Sequence, residues 1–222
     1  IQDPWRNDFY LTQPKHERPP KFLIAYSIDK YLEAKTVPYA DAIVSVSRAY
    51  CEAFEKRYQH FNPSVCFVIP FGGVAGDFAV VEKLTGESEK VHLDSNKVNI
   101  VYIGRGGHDM KYILEIFFKA IRKGKEQNKE LFKQIHCWFI GTSYAEEGKG
   151  IKTIQPVAET EGVSSFITEI TDRIPYFETL ALLKKADVLF VPGSTDTGYT
   201  ASKIYPYILA EKPMLACFHK NS

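Results

Sequence analysis

From residue 98 onward, short and solidly apolar segments alternate with segments of helical periodicity. The apolar segments occupy 98–103, 137–140, 166–170, 187–192 and 213–217. Strands that are apolar throughout are typical of a parallel sheet covered by helices on both faces. The sequence therefore predicts an α/β fold here, with ligands bound at the carboxyl edge of the sheet.

The first 96 residues predict a smaller and less regular unit. A helix is expected over 21–37 and a strand over 41–46. Ser47 is expected to cap a second helix, and 66–70 forms another short strand. We divide the chain into a first unit at 1–74, a linker or surface excursion at 75–96, and a second unit at 97–222.

Charge and cysteine content argue against several classes of function. Lys and Arg number 28 against 27 Asp and Glu, a net charge of +1, whereas general nucleic-acid binders carry a basic excess. The cysteines form no CxxC pair, which argues against a zinc site. A reducing cytoplasm is their simplest setting, although pairing stays open. The four cysteines are Cys51, Cys66, Cys137 and Cys217.

We expect the chain to be part of a longer protein. It begins at Ile1 with neither an initiator Met nor a signal-peptide pattern. It stops at Ser222, just after a predicted strand and before any closing helix. No apolar run reaches the ~18 residues of a transmembrane helix.

The loop after the strand at 98–103 is rich in glycine and basic side chains. It reads Gly104-Arg105-Gly106-Gly107-His108-Asp109-Met110-Lys111 and leads into a helix. Glycines let backbone amides approach a phosphate, and a helix N-terminus adds partial positive charge. The pattern is neither the dinucleotide fingerprint nor a P-loop. A glycine-rich turn with solvated basic side chains explains it equally well.

The loop at 193–203 also joins a strand to a helix. Its hydroxyls at Thr200 and Ser202 can cap that helix or bind an anion. Lys203 could reach a diphosphate as a point charge. Taken alone, simple capping is the better explanation, but two such loops at one sheet edge predict a pocket suited to a diphosphate.

The loop at 171–176 lies between these two in sequence. Its Arg173 and Ile174 could line the base of a nucleotide. A plain strand-to-helix turn with a solvated Arg173 is the alternative.

Five segments spread over nearly the whole chain match one known pattern. Asp3-Pro4-Trp5 is similar to an RDPW element, 40–47 to ADAIIAVS, and 68–74 to VIPNGVD. Residues 102–105 are similar to FVGR, and 203–213 to KLYEYLAAGKP. In this order and spacing, the chain resembles GT-B glycosyltransferases of the family-4 type, which build bacterial surface polysaccharides.

The resemblance implies two Rossmann-like lobes, with the donor nucleotide sugar held mainly by the C-terminal one. Residues 1–74 would end the N-terminal, acceptor lobe, and 97–222 would form a C-terminal lobe truncated at its end. Arg105, Lys111, Ser202 and Lys203 would bind the donor diphosphate. The catalytic residue stays unassigned, and the candidate donor-binding residues are Gly104, Arg105, Gly106, Lys111, Arg173, Ile174, Thr200, Ser202 and Lys203.

The implied activity is hexosyl transfer, with retention, from a UDP- or GDP-sugar to a glycan or lipid-linked acceptor. Neither a metal nor a cofactor is expected, because basic groups stabilise the leaving diphosphate. Nucleic acid is not an expected partner. The expected location is the cytoplasm, with peripheral association at the inner face of the membrane through segments outside this chain.

Two departures from the family pattern keep alternatives open. The family has two glutamates eight residues apart in its last motif, and those positions are Gly198 and Pro206 here. Lys111 also stands one residue further from Arg105 than usual. The alternatives are a non-catalytic nucleotide- or glycan-binding relative and a nucleotide-sugar epimerase on the same scaffold.

Overall fold

The computed structural model describes residues 1–2, 5–83, 90–195 and 201–220. The chain divides into two compact units, Ile1–Phe71 and Gly72–Ser222. The candidate Thr200 lies outside the described residues, and so do three other positions singled out in the sequence, Asp3, Pro4 and Gly198.

The first unit contains two helices and a two-stranded parallel sheet. These elements are α1 (Phe22–Thr36), β1 (Ile43–Ser45), α2 (Arg48–Arg57) and β2 (Cys66–Val68). Short 3-10 turns lie at Phe9–Leu11, Lys15–Glu17, Val37–Tyr39 and Pro63–Val65. As predicted, Ser47 caps α2, its hydroxyl accepting a hydrogen bond from the amide of Ala49. A small core is formed by Val37, Ile43, Phe54 and Phe61.

The structure resolves the open question about the cysteines. Cys51 of α2 and Cys66 of β2 form a disulfide, a bond that is rare in cytosolic proteins. The pairing that the sequence left open is therefore present in the structure. Cys137 is a free, buried thiol in an apolar strand, and burial raises the pKa of that thiol.

The second unit is built on a five-stranded parallel sheet, which confirms the predicted fold class. The strands are β3 (Val98–Ile103), β4 (Ile135–Ile140), β5 (Ile167–Ile170), β6 (Val188–Pro192) and β7 (Met214–Cys217). Their order is β5-β4-β3-β6-β7, and every neighbouring pair is parallel.

Helices cover both faces of this sheet. They are α3 (Ala75–Val81), α4 (Lys111–Gln127), α5 (Lys129–Phe132), α6 (Gln155–Thr160), α7 (Tyr176–Lys185) and α8 (Ile204–Leu209). Short 3-10 turns lie at His108–Met110 and Ser164–Phe166. Helices α4 and α6 pack into one apolar cluster, and α3, α7 and α8 into the other.

Strand β3 shows why the strands are apolar throughout. Ile100 and Tyr102 face the cluster under α4 and α6, whereas Val101 and Ile103 face the opposite cluster. Because successive side chains point to opposite faces, both sets must be apolar. Among the described residues, no helix combines the length and the apolar character needed to cross a bilayer.

The segment at 75–96, expected to be a linker or surface excursion, includes α3. Phe78 and Val81 of α3, together with Val91, are buried in the second unit's apolar cluster. Because this segment carries many charged residues, its sequence did not reveal that these three apolar side chains pack into the core.

Glu211, the second residue after the end of α8, has a conformation that suits glycine. Its φ is 58°, in the left-handed region that costs a side-chain-bearing residue about 1–2 kcal/mol. Glycine is the residue that most often ends a helix this way. We expect Glu211→Gly to raise the free energy of unfolding by about 0.5–1 kcal/mol in urea denaturation.

Glu211→Ala is the matched control, since it removes the same exposed side chain and keeps the Cβ. The ion pair between Glu211 and Lys184 should contribute little to stability, because its two atoms lie 3.9 Å apart and the Glu211 side chain is 82% exposed. A glycine variant no more stable than the alanine variant would contradict the conformational argument.

Candidate functional site

The candidate site lies where β3 and β6 end side by side. The chain builds β4 and β5 on one side of β3 and then returns to place β6 on the other. The loops that follow β3 and β6 therefore leave the sheet at its topological switch point, where this architecture binds ligands. The amide of Thr195, after β6, donates to the carbonyl of Asp109, after β3, at 2.9 Å. Two of the three predicted loops therefore meet.

Lys203 lies directly beneath Gly104. Its Nζ is 2.8 Å from the hydroxyl oxygen of Tyr102 and 4.6 Å from the centroid of that ring. A Cβ built on Gly104 would come within 2.6 Å of the Lys203 Nζ, and the φ of Gly104 is 155°. Only glycine therefore allows the loop to pass this close over the ammonium group.

The environment of Lys203 disfavours its charge. Burial of this side chain lowers its pKa, and the nearby charge of Arg105 lowers it further, while Asp109 opposes both. The result is a pKa of about 8. A cation in such a place is suited to an anionic ligand that restores the missing stabilisation.

Arg105 is held by Asp109, four residues further along the loop. The two guanidinium Nη atoms each lie 2.8 Å from an oxygen of the carboxylate. The Ser194 hydroxyl donates to the same carboxylate at 2.7 Å. Burial raises the pKa of Asp109, but the hydrogen bond and charge of Arg105 and the Ser194 hydroxyl outweigh it, so that pKa is lowered.

The structure separates Lys111 from this arrangement. Lys111 is 62% exposed, and its Nζ lies 3.9 Å from the Glu115 carboxylate on the outer surface of α4. Ser202 is exposed at the turn before α8. Of the predicted cations, the structure brings together Arg105 and Lys203.

The loops after β4 and β5 form a second part of the same edge. The amide of Ser143 donates to the carbonyl of Thr171 at 3.0 Å. The guanidinium of Arg173 lies over the ring of Tyr144, 4.7 Å from its centroid. Ile174 packs partly buried against the apolar cluster that includes α7.

Glu169, which sequence reasoning missed, supports the site from below. Its buried carboxylate accepts hydrogen bonds from the amides of Thr153, Ile154 and Gln155 and from the hydroxyl of Thr142. It thereby caps α6, satisfying amides that a helix start leaves unpaired. A lone carboxylate inside the apolar strand β5 was the signal in the sequence.

Thr142 and Gly106 connect that carboxylate to the glycine loop. The Thr142 carbonyl accepts from the amide of Gly106 at 2.8 Å. A Cβ on Gly106 would lie 2.6 Å from the Thr153 hydroxyl oxygen and 3.2 Å from the Thr142 Cβ. Gly106 therefore serves close packing of the loop onto the end of β4.

No protein-family model and no curated protein matches this chain. Solved structures do match it. The α,α-trehalose-phosphate synthase (UDP-forming) of Burkholderia xenovorans is 14% identical, with a TM-score of 0.61 over 93% of this chain and 52% of that one. The fold is that of GT-B glycosyltransferases.

Two further structures with the GT-B fold show the same relation. Anabaena HepE, in complex with UDP and glucose, is 15% identical, with a TM-score of 0.57 over 92% of this chain and 50% of its own. WaaG, a glycosyltransferase involved in lipopolysaccharide biosynthesis, is 14% identical, with a TM-score of 0.55 over 94% and 52%. The chain spans about half the length of the structures it matches.

Proposed function

We propose that this chain provides the donor-binding part of a glycosyltransferase that moves a hexosyl group from a nucleoside-diphosphate sugar to an acceptor. The observation that carries the proposal is the Lys203 ammonium beneath Gly104, with the Arg105 guanidinium in the same loop. Both cations lie at the carboxyl edge of a parallel sheet, where this architecture binds nucleotides.

The donor we propose first is a UDP-sugar. HepE was solved with UDP and glucose, and the trehalose-phosphate synthase is described as UDP-forming. A GDP-sugar is the second donor to test. The candidate surface for the base is the pair of loops after β4 and β5, with Arg173 over Tyr144 and Ile174 beside them.

The chemistry of this site needs charge stabilisation more than proton transfer. Cleavage of the glycosidic phosphate bond leaves negative charge on the departing diphosphate, which the ammonium of Lys203 and the guanidinium of Arg105 would stabilise. Among the described residues, no three His, Cys, Asp or Glu side chains are grouped to hold a metal ion. We propose that transfer proceeds without a bound metal or cofactor.

The proposed acceptor is a glycan or a lipid-linked glycan of a surface polysaccharide. WaaG, which shares the fold, acts in lipopolysaccharide biosynthesis. We propose a cytoplasmic location for the reaction, with association at the inner face of the membrane.

Arg105→Ala is expected to weaken UDP binding by roughly 10- to 100-fold, because a charge-assisted hydrogen bond contributes about 1.5–3 kcal/mol. The measurement is a calorimetric titration of the full chain with UDP, UDP-glucose and GDP-mannose. Lys133→Ala is the surface control, because Lys133 is 55% exposed and precedes the amino end of β4.

Loss of Arg105 also leaves the Asp109 carboxylate without its partner, so a double variant is needed. Arg105→Ala/Asp109→Ala removes both charges and should bind UDP as poorly as the single variant. Recovery of wild-type affinity in the double variant would show that Arg105 only neutralises Asp109. Failure of the unaltered chain to bind any nucleotide at millimolar concentration would refute the donor-binding proposal.

A further inference from the structure

Tyr102 carries its hydroxyl group into an otherwise apolar layer. Its side chain is fully buried, and its ring packs 6.0 Å from the ring of Phe139 within the core under α4. Phenylalanine would fill this space equally well. A buried hydroxyl costs free energy unless it is hydrogen bonded, so its partners indicate what it does.

The hydroxyl joins the two loops of the candidate site through a single atom. It donates to the carbonyl of Arg105 at 2.7 Å and accepts from the Lys203 Nζ at 2.8 Å. The first bond fixes the backbone of the glycine loop. The second fixes the ammonium group beneath that loop, although the two residues are separated by 101 positions in the sequence.

We infer that Tyr102 is a positioning residue, whose hydroxyl fixes the Lys203 ammonium and the Arg105 backbone in register for an anionic ligand. The inference rests on the proposed function for the identity of that ligand, the diphosphate of a nucleotide sugar. The contact itself stands on the geometry alone.

The charged state of Lys203 should depend on this hydroxyl. Titratable groups face the ammonium from β3 and from the loop that follows it, and they include Tyr102, Arg105 and Asp109. Arg105 disfavours the ammonium and Asp109 favours it. The Tyr102 oxygen favours it as well, because a hydrogen bond to the charged form stabilises that form.

The test compares Tyr102→Phe with Tyr207→Phe. Tyr207 is a matched control because its hydroxyl is also buried and accepts from the amide of Ile103, the next residue of β3, at 2.8 Å. Both variants lose a buried hydroxyl bond to β3 or the loop after it, so both should lose some stability. Only Tyr102→Phe removes the contact with Lys203.

The first readout needs no nucleotide. Acetic anhydride labels neutral amines, so the pH midpoint of Lys203 acetylation, followed by peptide mass spectrometry, reports the protonation of that ammonium. The midpoint should lie near pH 8 in the unaltered chain and fall by about one pH unit in Tyr102→Phe. It should stay unchanged in Tyr207→Phe.

The second readout is calorimetric affinity for UDP at pH 7. Tyr102→Phe should bind roughly tenfold more weakly than the unaltered chain, and Tyr207→Phe should bind as the unaltered chain does. If the unaltered chain binds no UDP, the proposed function fails, and the labelling midpoint still decides the role of Tyr102. An unchanged midpoint in a folded Tyr102→Phe variant overturns the inference.

Discussion

Lys203→Met should reduce UDP affinity by more than about 100-fold, the largest binding effect expected in this chain. Removing one partner of a desolvated charge pair costs about 3–5 kcal/mol. Methionine keeps the apolar stem that passes beneath Gly104 and removes the charge. Isothermal titration with UDP measures the loss, and Lys133→Ala again serves as the surface control.

The pH dependence of UDP binding is an independent test of the role of Lys203. The pKa of Lys203 in the folded chain is about 8, below its ordinary value of 10.5. UDP affinity should therefore fall as pH rises above about 8, because binding then requires uptake of a proton. In Lys203→Met this part of the pH dependence should disappear.

Folding stability should respond in the opposite direction. Between about pH 8 and 10.5 the unfolded chain holds the Lys203 proton that the folded chain has released, so this group makes stability rise with pH in that window. Lys203→Met should lose the rise and should not be destabilised at pH 7. Unfolding of Lys203→Met at pH 7 would contradict the stability argument. Normal UDP affinity in the folded variant would contradict the assignment of Lys203 to the binding site.

Glu169→Gln should lower the free energy of unfolding by about 2–4 kcal/mol, the largest stability effect expected. The buried carboxylate accepts from three backbone amides and the Thr142 hydroxyl. Glutamine replaces one acceptor oxygen with a donor that faces those amides, and unpaired buried polar groups are costly. The melting temperature should fall by roughly 4–16 °C for a chain of this size.

Glu130→Gln is the matched control for that change. Glu130 is 80% exposed and pairs with Lys133 across the surface, so its replacement should cost under about 0.5 kcal/mol. Glu169→Gln should also weaken UDP binding, because Thr142 links Glu169 to Gly106. Equal melting temperatures for the two variants would show that Glu169 is not the anchor of α6.

The fold of the second unit was largely predictable from local pattern. The apolar run at 98–103 became β3 at the same residues, and the run at 187–192 became β6 within one residue. Helix α6 was missed because it has six residues, includes Pro156, and depends on Glu169 for its cap. Its stability comes from tertiary contacts, which periodicity does not record.

The residue types of the candidate site stood out in the sequence, whereas their arrangement did not. Glycines and cations after a strand identified Gly104, Arg105 and Lys203 as candidates. No local sequence pattern showed that Asp109 would hold Arg105 or that Tyr102 would contact Lys203. These contacts depend on side-chain direction and on how distant segments of the chain pack together. Lys111 belongs to the same segment as Arg105, but α4 carries it toward Glu115.

The return of the chain from β5 to β6 also sets the order in which the pocket can form during synthesis. The side-chain bonds of the candidate site connect Tyr102 with Lys203 and Asp109 with Ser194, over separations of 101 and 85 residues. A nascent chain that has emerged only through β5 can pair three strands and still lacks every one of these bonds. The proposed nucleotide is therefore expected to stabilise the folding chain only after α8 has left the ribosome, because these long-range contacts cannot form earlier.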